Sequence, residues 1–294
     1  MKIKHKKQKN SIIKKPSLRV MKKIVRQALT EDIGKGDITT DAIIPPEITF
    51  RGKIIAKESG IIAGLEVVAL CFEQVNPVIT FQPQCADGQR VGKGEIIALV
   101  KGPAGDILKA ERVALNFLQR MSGIATLTAT YVAALKGTSA ILLDTRKTAP
   151  GLRVFDKWAV RLGGGQNHRF GLYDMILIKE NHIQVAGSLT EAVNRVRKCF
   201  GQKKFIEIEV KNLTELQEAL ALKVQRIMLD NMSLENIRQA VRITAGRIPL
   251  EVSGNVTLDN IADIARCGVQ YISSGTLTHS VKALDISLLL TGTK

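Results

Sequence analysis

Aromatic side chains are scarce in this chain of 294 residues, with 8 Phe, 3 Tyr and 1 Trp making up 4%. That leaves little from which to build the stacking platforms on which proteins bind single-stranded nucleic acid. Cysteine is equally sparse. Cys71, Cys85, Cys199 and Cys267 lie far apart with no C-x-x-C pair, which excludes a disulfide framework or thiolate zinc site and fits a reducing cytoplasm. No stretch approaches the roughly 18 consecutive apolar residues of a membrane span. The amino terminus has neither the apolar core of a secretory signal nor the arginine bias of a transit peptide. No G-x-S-x-G is present, and no G-x-G-x-x-G follows a strand-like run, so a serine-hydrolase elbow and a dinucleotide fold both lose their marks.

What the chain has is hydrophobic mass and positive charge. At 45% hydrophobic content it can bury a large core in one or two domains. Its net charge is +16, and the pI near 9.8 raises the question of a nucleic-acid partner. Position answers it: eleven basic residues and no acid fall within Met1–Arg26, which leaves +5 for the rest. The first sixteen residues read as a basic, disordered, solubilising tail, with RNA binding through that tail as a minor alternative.

The richest stretch runs from Asp144 to Ile183 and carries Arg146, Lys147, Arg153, Lys157, Arg161, Arg169 and Lys179, with His168 and His182. A solvated helix would space such charges at helical intervals among polar neighbours. Here ILLDTRK ends one strand-like run in Arg146 and Lys147, and MILIKENH ends another in Lys179. Between them lie Gly163-Gly164-Gly165 and Asn167-His168-Arg169. Cations at strand ends and in a glycine turn predict a pocket for a small molecule with several negative charges.

Upstream, Leu18–Thr30 reads as an amphipathic helix through Leu18, Met21, Val25 and Ala28. A glycine- and proline-containing loop follows. Strands are predicted at Phe50–Lys57, Val78–Phe81 and Ile96–Lys101, and a helix at Gly64–Val75 ahead of Asn76-Pro77. This irregular mixture favours an α+β layer structure. A long helical stretch, Ile107–Lys136, is expected to break at Ser122-Gly123, which marks the domain boundary. From Ser139 onward six strand-like runs alternate with helical ones, the signature of parallel βα units. Either a doubly wound sheet or a barrel would fit. The strand ends read DTRK, KE, EIE, DN, SGN and SSG, so polar groups gather at one rim from many strands, as in barrels. Six strands predict an incomplete, open barrel.

Glu207 and Glu209 alternate in IEIEV and face the same side, and Asp230 closes the next strand. Such inward carboxylates suit Mg²⁺ shared with substrate phosphates, or alternatively a charge network with the lysines and arginines opposite. The turns Ser253-Gly254-Asn255 and Ser273-Ser274-Gly275 occupy equivalent places after the last two strands, where backbone N–H groups can approach a phosphate.

The segments EDIGKGDITTD, ERVALNFLQRMSGIAT, DTRKTAPGLR, GGGQNHRFGLYDMILIKENHI, IEIEV, IMLDN, LEVSGNVTLDNI and ISSGTLTHSVKALDISL resemble, in order from about Leu18 to Leu290, those of the quinolinate phosphoribosyltransferase family. The resemblance implies an N-terminal α/β sandwich over residues 17–122, rejoined by 281–294, and an open TIM-like α/β barrel over 123–280. It implies a homodimer with active sites at the subunit interface and a reaction of quinolinate with 5-phosphoribosyl 1-diphosphate, assisted by Mg²⁺. Arg146, His168, Arg169 and Lys179 would surround the quinolinate carboxylates, joined by Arg112 of the neighbouring subunit. Lys147 would face the diphosphate, and Glu209 and Asp230 the ribose hydroxyls and Mg²⁺. Ser253, Gly254, Asn255, Ser274 and Gly275 would line the 5-phosphate pocket. The family often has glycine where Asn255 stands. A nicotinate-using relative is the nearest rival, but these clamps outnumber what one carboxylate needs.

Overall fold

The computed structural model describes residues 15–292, so the tail expected to be disordered lies almost wholly outside the described residues. Contacts divide the chain into two units. The first takes the chain to Thr126, with 150–162 and the segment from Lys282; the second takes Leu127–Ala149 and Gly163–Val281.

The first unit opens with α1, Leu18–Ile33, capped by the Ser17 hydroxyl, which accepts from Val20 N–H. Met21, Val25 and Leu29 form its buried stripe, one face at four-residue spacing. Leu18, expected on that stripe, is half exposed. The helix runs one turn beyond Thr30 and stops at Gly34, whose φ of 55° with ψ of −116° only glycine adopts cheaply. The expected loop after it contains a short helix, α2 (Ile38–Ile43), because Asp37 caps it by accepting from the N–H groups of Thr39 and Thr40. Strand β1 (Thr49–Ala56) leads through β2 (Gly60–Ile61) to α3 (Leu65–Val75), then β3 (Thr80–Pro83), β4 (Arg90–Val91) and β5 (Ile96–Pro103). Along β1, Ile54 and Ala56 turn inward while Arg51 and Lys53 turn out, the two-residue period of a strand with one covered face.

Helix α4 then runs unbroken from Ala104 to Ala134. The expected break at Ser122-Gly123 does not occur, because both residues serve close packing. The buried Ser122 hydroxyl accepts the Ala63 N–H at 3.0 Å. A Cβ at residue 123 would stand 2.2 Å from the Lys282 carbonyl oxygen, so glycine is what lets the returning chain cross the helix. That returning chain forms β12 (Ile286–Gly292), and the antiparallel sheet reads β12-β1-β5-β3.

The second unit is a parallel six-stranded sheet. Its strands are β6 (Ile141–Leu143), β7 (Ile176–Ile178), β8 (Ile206–Val210), β9 (Arg226–Asp230), β10 (Leu250–Ser253) and β11 (Tyr271–Ser273), in the order β6-β11-β10-β9-β8-β7. Every pairing among them is parallel, and β6 and β7 are the two edges, so the barrel is open as expected. Helix α5 (Arg153–Leu162), read in sequence as part of the barrel, groups by contact with the first unit. The connections are α6 (Glu180–Ala186), α7 (Leu189–Phe200), α8 (Leu213–Ala221), α9 (Leu234–Thr244) and α10 (Ile261–Arg266), with α11 (Thr276–His279) after β11. Ser188, Asn212 and Ser233 cap α7, α8 and α9 through their side-chain oxygens. Ile206, Ile208 and Val210 of β8 are fully buried, whereas Glu207 and Glu209 between them face the interior. Among the described residues no helix is long and apolar enough to cross a membrane.

Candidate active site

A cavity of about 820 Å³ opens at the carboxyl ends of these six strands, within the range of small-molecule sites. Twelve of the thirteen residues singled out from the sequence line it; the exception, Arg112, lies exposed on α4 in the first unit. The cavity is therefore the rim that the alternation of strands and helices implied.

The cationic wall is built by β6, β7 and the turn between them. After Leu143 the chain carries Thr145, Arg146 and Lys147 into the cavity. The Gly163–Arg169 turn is tied back to β6: Gln166 N–H donates to Leu142 O at 2.8 Å, and Asp144 N–H to Gln166 O at 3.1 Å. Asp144, fully buried, accepts from Asn167 Nδ2 at 2.5 Å and from His168 N–H at 2.9 Å. Arg169 is buried, and its Nη1 donates to Met175 O at 3.2 Å. Burial and then the neighbouring Arg146 guanidinium lower its pKa. Two guanidiniums lining one cavity make its wall strongly cationic. Lys179 begins α6 and places Nζ 2.6 Å from Glu209 on β8. His182, the second histidine of the stretch, caps that helix, its Nδ1 accepting Lys179 N–H at 2.9 Å.

Opposite lie the small residues. Gly254 has φ 91°, and a Cβ there would stand 2.2 Å from Asn231 Oδ1. Asn255 follows at φ 49°, the left-handed conformation that asparagine tolerates better than most other non-glycine residues. Its Nδ2 donates to Asn231 Oδ1 at 3.0 Å. Gly275 lets Lys147 and His279 close in, since a Cβ would sit 2.8 Å from the first and 2.9 Å from the second. The Ser274 hydroxyl is turned to the Val256 carbonyl at 3.3 Å, so that residue offers the cavity backbone rather than a hydroxyl.

Below the rim, Glu207 parts company with Glu209. Its carboxylate is fully buried with Glu251 of β10, and His168 Nε2 stands 3.1 Å from the first and 3.5 Å from the second. Arg226, first residue of β9, donates from Nη1 to Glu251 at 3.0 Å and lies 4.0 Å above the Tyr271 ring. Burial, then Glu207, pushes the Glu251 carboxyl up to about 7; burial raises Glu207 too. The ligand atoms of His168, Glu207 and Glu251 lie within 4.8 Å of one another, close enough for a metal. The Arg226 guanidinium already sits there as counter-charge, and the cluster is the charge network that the sequence left as an alternative. Two carboxylates that could hold a hard cation such as Mg²⁺, Glu209 and Asp230, stand on adjacent strands and line the cavity. Asp144, Arg226, Glu251 and His279 were missed in sequence, since nothing in their spacing distinguishes them from ordinary loop and strand residues.

The model of the quinolinate phosphoribosyl transferase C-terminal domain matches residues 124–289, and that of its N-terminal domain residues 37–122. The chain belongs to the quinolinate phosphoribosyltransferase family. Among similar family members, quinolinate phosphoribosyltransferase [decarboxylating] 1b of Nicotiana tabacum is 46% identical, over 91% of this chain and 81% of its own. The probable nicotinate-nucleotide pyrophosphorylase [carboxylating] of Bacillus subtilis is 43% identical, over 92% and 93%. The solved nicotinate-nucleotide pyrophosphorylase of Francisella tularensis superposes with a TM-score of 0.90 at 42% identity, over 95% of this chain and 99% of that one.

Proposed function

We infer that the cationic rim of the second unit is where this family's reaction takes place in this chain. The chain is a decarboxylating phosphoribosyltransferase of NAD biosynthesis: quinolinate and 5-phosphoribosyl 1-diphosphate give nicotinate mononucleotide, diphosphate and CO₂. What supports the placement most is that the guanidiniums of Arg146 and Arg169 share one cavity with Lys179. A planar dicarboxylate answers both forks, as a single carboxylate would not.

In this reading Arg146, Arg169 and Lys179 clamp the quinolinate carboxylates, with His168 beside them and Arg112 reaching in from the second subunit of a homodimer. The clamp holds the ring nitrogen in line with the ribose carbon, which matters because a pyridine nitrogen is a weak nucleophile. Lys147 offsets charge on the departing diphosphate as oxocarbenium character builds on the sugar. Glu209 and Asp230 hold the ribose hydroxyls, and the same two carboxylates would hold Mg²⁺. Bound there, such an ion would supply Lewis-acid neutralisation of charge on the leaving group. Backbone around Ser253–Asn255 and Ser274–Gly275 cradles the 5-phosphate. Once the glycosidic bond has formed, the positive charge on the ring nitrogen stabilises the electron pair left on the adjacent ring carbon when its carboxylate departs as CO₂, and a proton taken up at that carbon completes the nucleotide. A reducing, cytoplasmic setting suits the four free cysteines.

The test is direct: purified protein with quinolinate, phosphoribosyl diphosphate and Mg²⁺ should release CO₂ and nucleotide together, and neither without Mg²⁺. Equal turnover of nicotinate, with no CO₂, would overturn the dicarboxylate assignment.

A further inference from the structure

We propose that Asn231 is a positioning residue for phosphoribosyl diphosphate, and that its carboxamide, paired with that of Asn255, couples Asp230 to the phosphate cradle at Ser253–Asn255. This rests on the assignment of the cavity to that substrate.

Asp230 ends β9, and the chain leaves the sheet at the next residue. There Asn231 takes φ 52°, a left-handed backbone uncommon outside glycine. Its N–H donates to Ser253 O at 3.0 Å, so β9 and β10 stay laced one residue past the strand end. Turned this way, the side chain lies across the rim between two groups with separate tasks. Nδ2 donates to Asp230 Oδ2 at 2.9 Å, and Oδ1 accepts from Asn255 Nδ2 at 3.0 Å. A carboxylate only accepts, which fixes the amide: its donor end faces Asp230 and its acceptor end Asn255.

The surroundings are shaped for the same contact. Gly254 leaves room for it, since a Cβ there would collide with Asn231 Oδ1. The Asn255 carbonyl accepts from Asn260 Nδ2 at 2.9 Å, and Asn260 Oδ1 accepts the Thr257 N–H at 2.9 Å, which holds the turn closed. Asn231 and Asn255 both line the cavity and are exposed. An amide pair open to water contributes little to folding. Two left-handed asparagines nevertheless persist side by side, and such backbones survive only where the surroundings over-determine them. Position explains what stability does not. Asp230 meets the ribose and the cradle meets the 5-phosphate, two ends of one sugar phosphate. Holding those ends in register pre-orders the site for phosphoribosyl diphosphate and leaves the cationic wall untouched.

Glycine substitution removes each amide without adding backbone strain, because glycine takes positive φ freely. Calorimetry and steady-state kinetics with Mg²⁺ on the full-length chain compare Asn231→Gly, Asn255→Gly and the double variant. Each single variant should raise Kd and KM for phosphoribosyl diphosphate by about tenfold, as loss of a hydrogen bond in a charged site does. The Kd for quinolinate should stay within about twofold. The double variant should be no worse than Asn231→Gly alone, since both changes break one contact. Unchanged affinity for phosphoribosyl diphosphate in the single variants, or effects that multiply in the double, overturns the bridge. A quinolinate Kd rising in step overturns it too, as the mark of general loosening. If Asn231→Gly does not fold, Asn255→Gly decides alone by the same two constants. Asp230→Ala separates the two levels: should it bind phosphoribosyl diphosphate normally, the assignment of this wall fails. Should it bind weakly while the glycine variants bind as wild type, only the bridge fails.

Discussion

Burial and the neighbouring Arg146 make charge costly on Arg169, and in the proposed reading an incoming dianion offsets that cost. Lysine at position 146 would keep the charge but lose the planar fork. Arg146→Lys is therefore expected to lower kcat/KM for quinolinate by at least about tenfold, roughly the 1.4 kcal/mol of one lost charge-assisted bond. Steady-state assays at varied quinolinate check it, and a near-normal constant would contradict the clamp. Arg146 was legible in sequence because it stands just after an apolar run, where a strand end meets a rim, and Arg169 because it closes the glycine turn between two such runs. Glu251 and Arg226 were not. In LEVS a lone acid between apolar neighbours has the spacing of an outward residue, and nothing local says that it is fully buried. Glu207 was placed on the correct side of its strand but at the wrong depth, since alternation gives direction and not distance from the rim.

Among the elements, α4 shows how a helix breaker can be a packing device. Ser-Gly in a long helical pattern suggests interruption, and only the chain returning at Lys282 reveals why glycine is there. Gly123→Ala, which raises helix propensity, is expected to destabilise the protein by about 1–3 kcal/mol through overpacking. Urea titration measures it; a stabilised variant would mean that the crossing can give way. The other misses at this scale have local causes. α2 is short and owes its existence to the Asp37 cap, and α1 extends to its glycine stop. The six strands and the helices α7, α8 and α9 were legible because long periodic runs between turn residues leave few alternatives.

The whole molecule carries a carboxyl group whose folded pKa, about 7, lies above its ordinary 4.5. The folded state therefore binds more protons between these values, and Glu251's contribution to stability, full below about pH 4.5, is lost as pH rises through about 7. Glu207, His168 and Arg226 face it and share in the balance. The loss is on the order of 3 kcal/mol. Thermal melts from acid to neutral pH should show wild type declining relative to Glu251→Gln; parallel curves would reject it. Assembly has its own test. If Arg112 serves the partner's site in a homodimer, mixing inactive Arg112→Ala and Arg146→Ala chains should restore up to roughly a quarter of wild-type activity, since mixed dimers keep one complete site. No recovery would place Arg112 elsewhere.

Pairing of β1 with β12 over seven positions, Phe50 with Gly292 through Ala56 with Ile286, joins the early chain to its last strand. During synthesis the amino-terminal sheet must wait for the final stretch to emerge, its β1 edge meanwhile open to any other strand. A chain stopped at Val281 should accordingly collect in the pellet on expression, whereas a tag appended after Lys294 should leave the protein soluble.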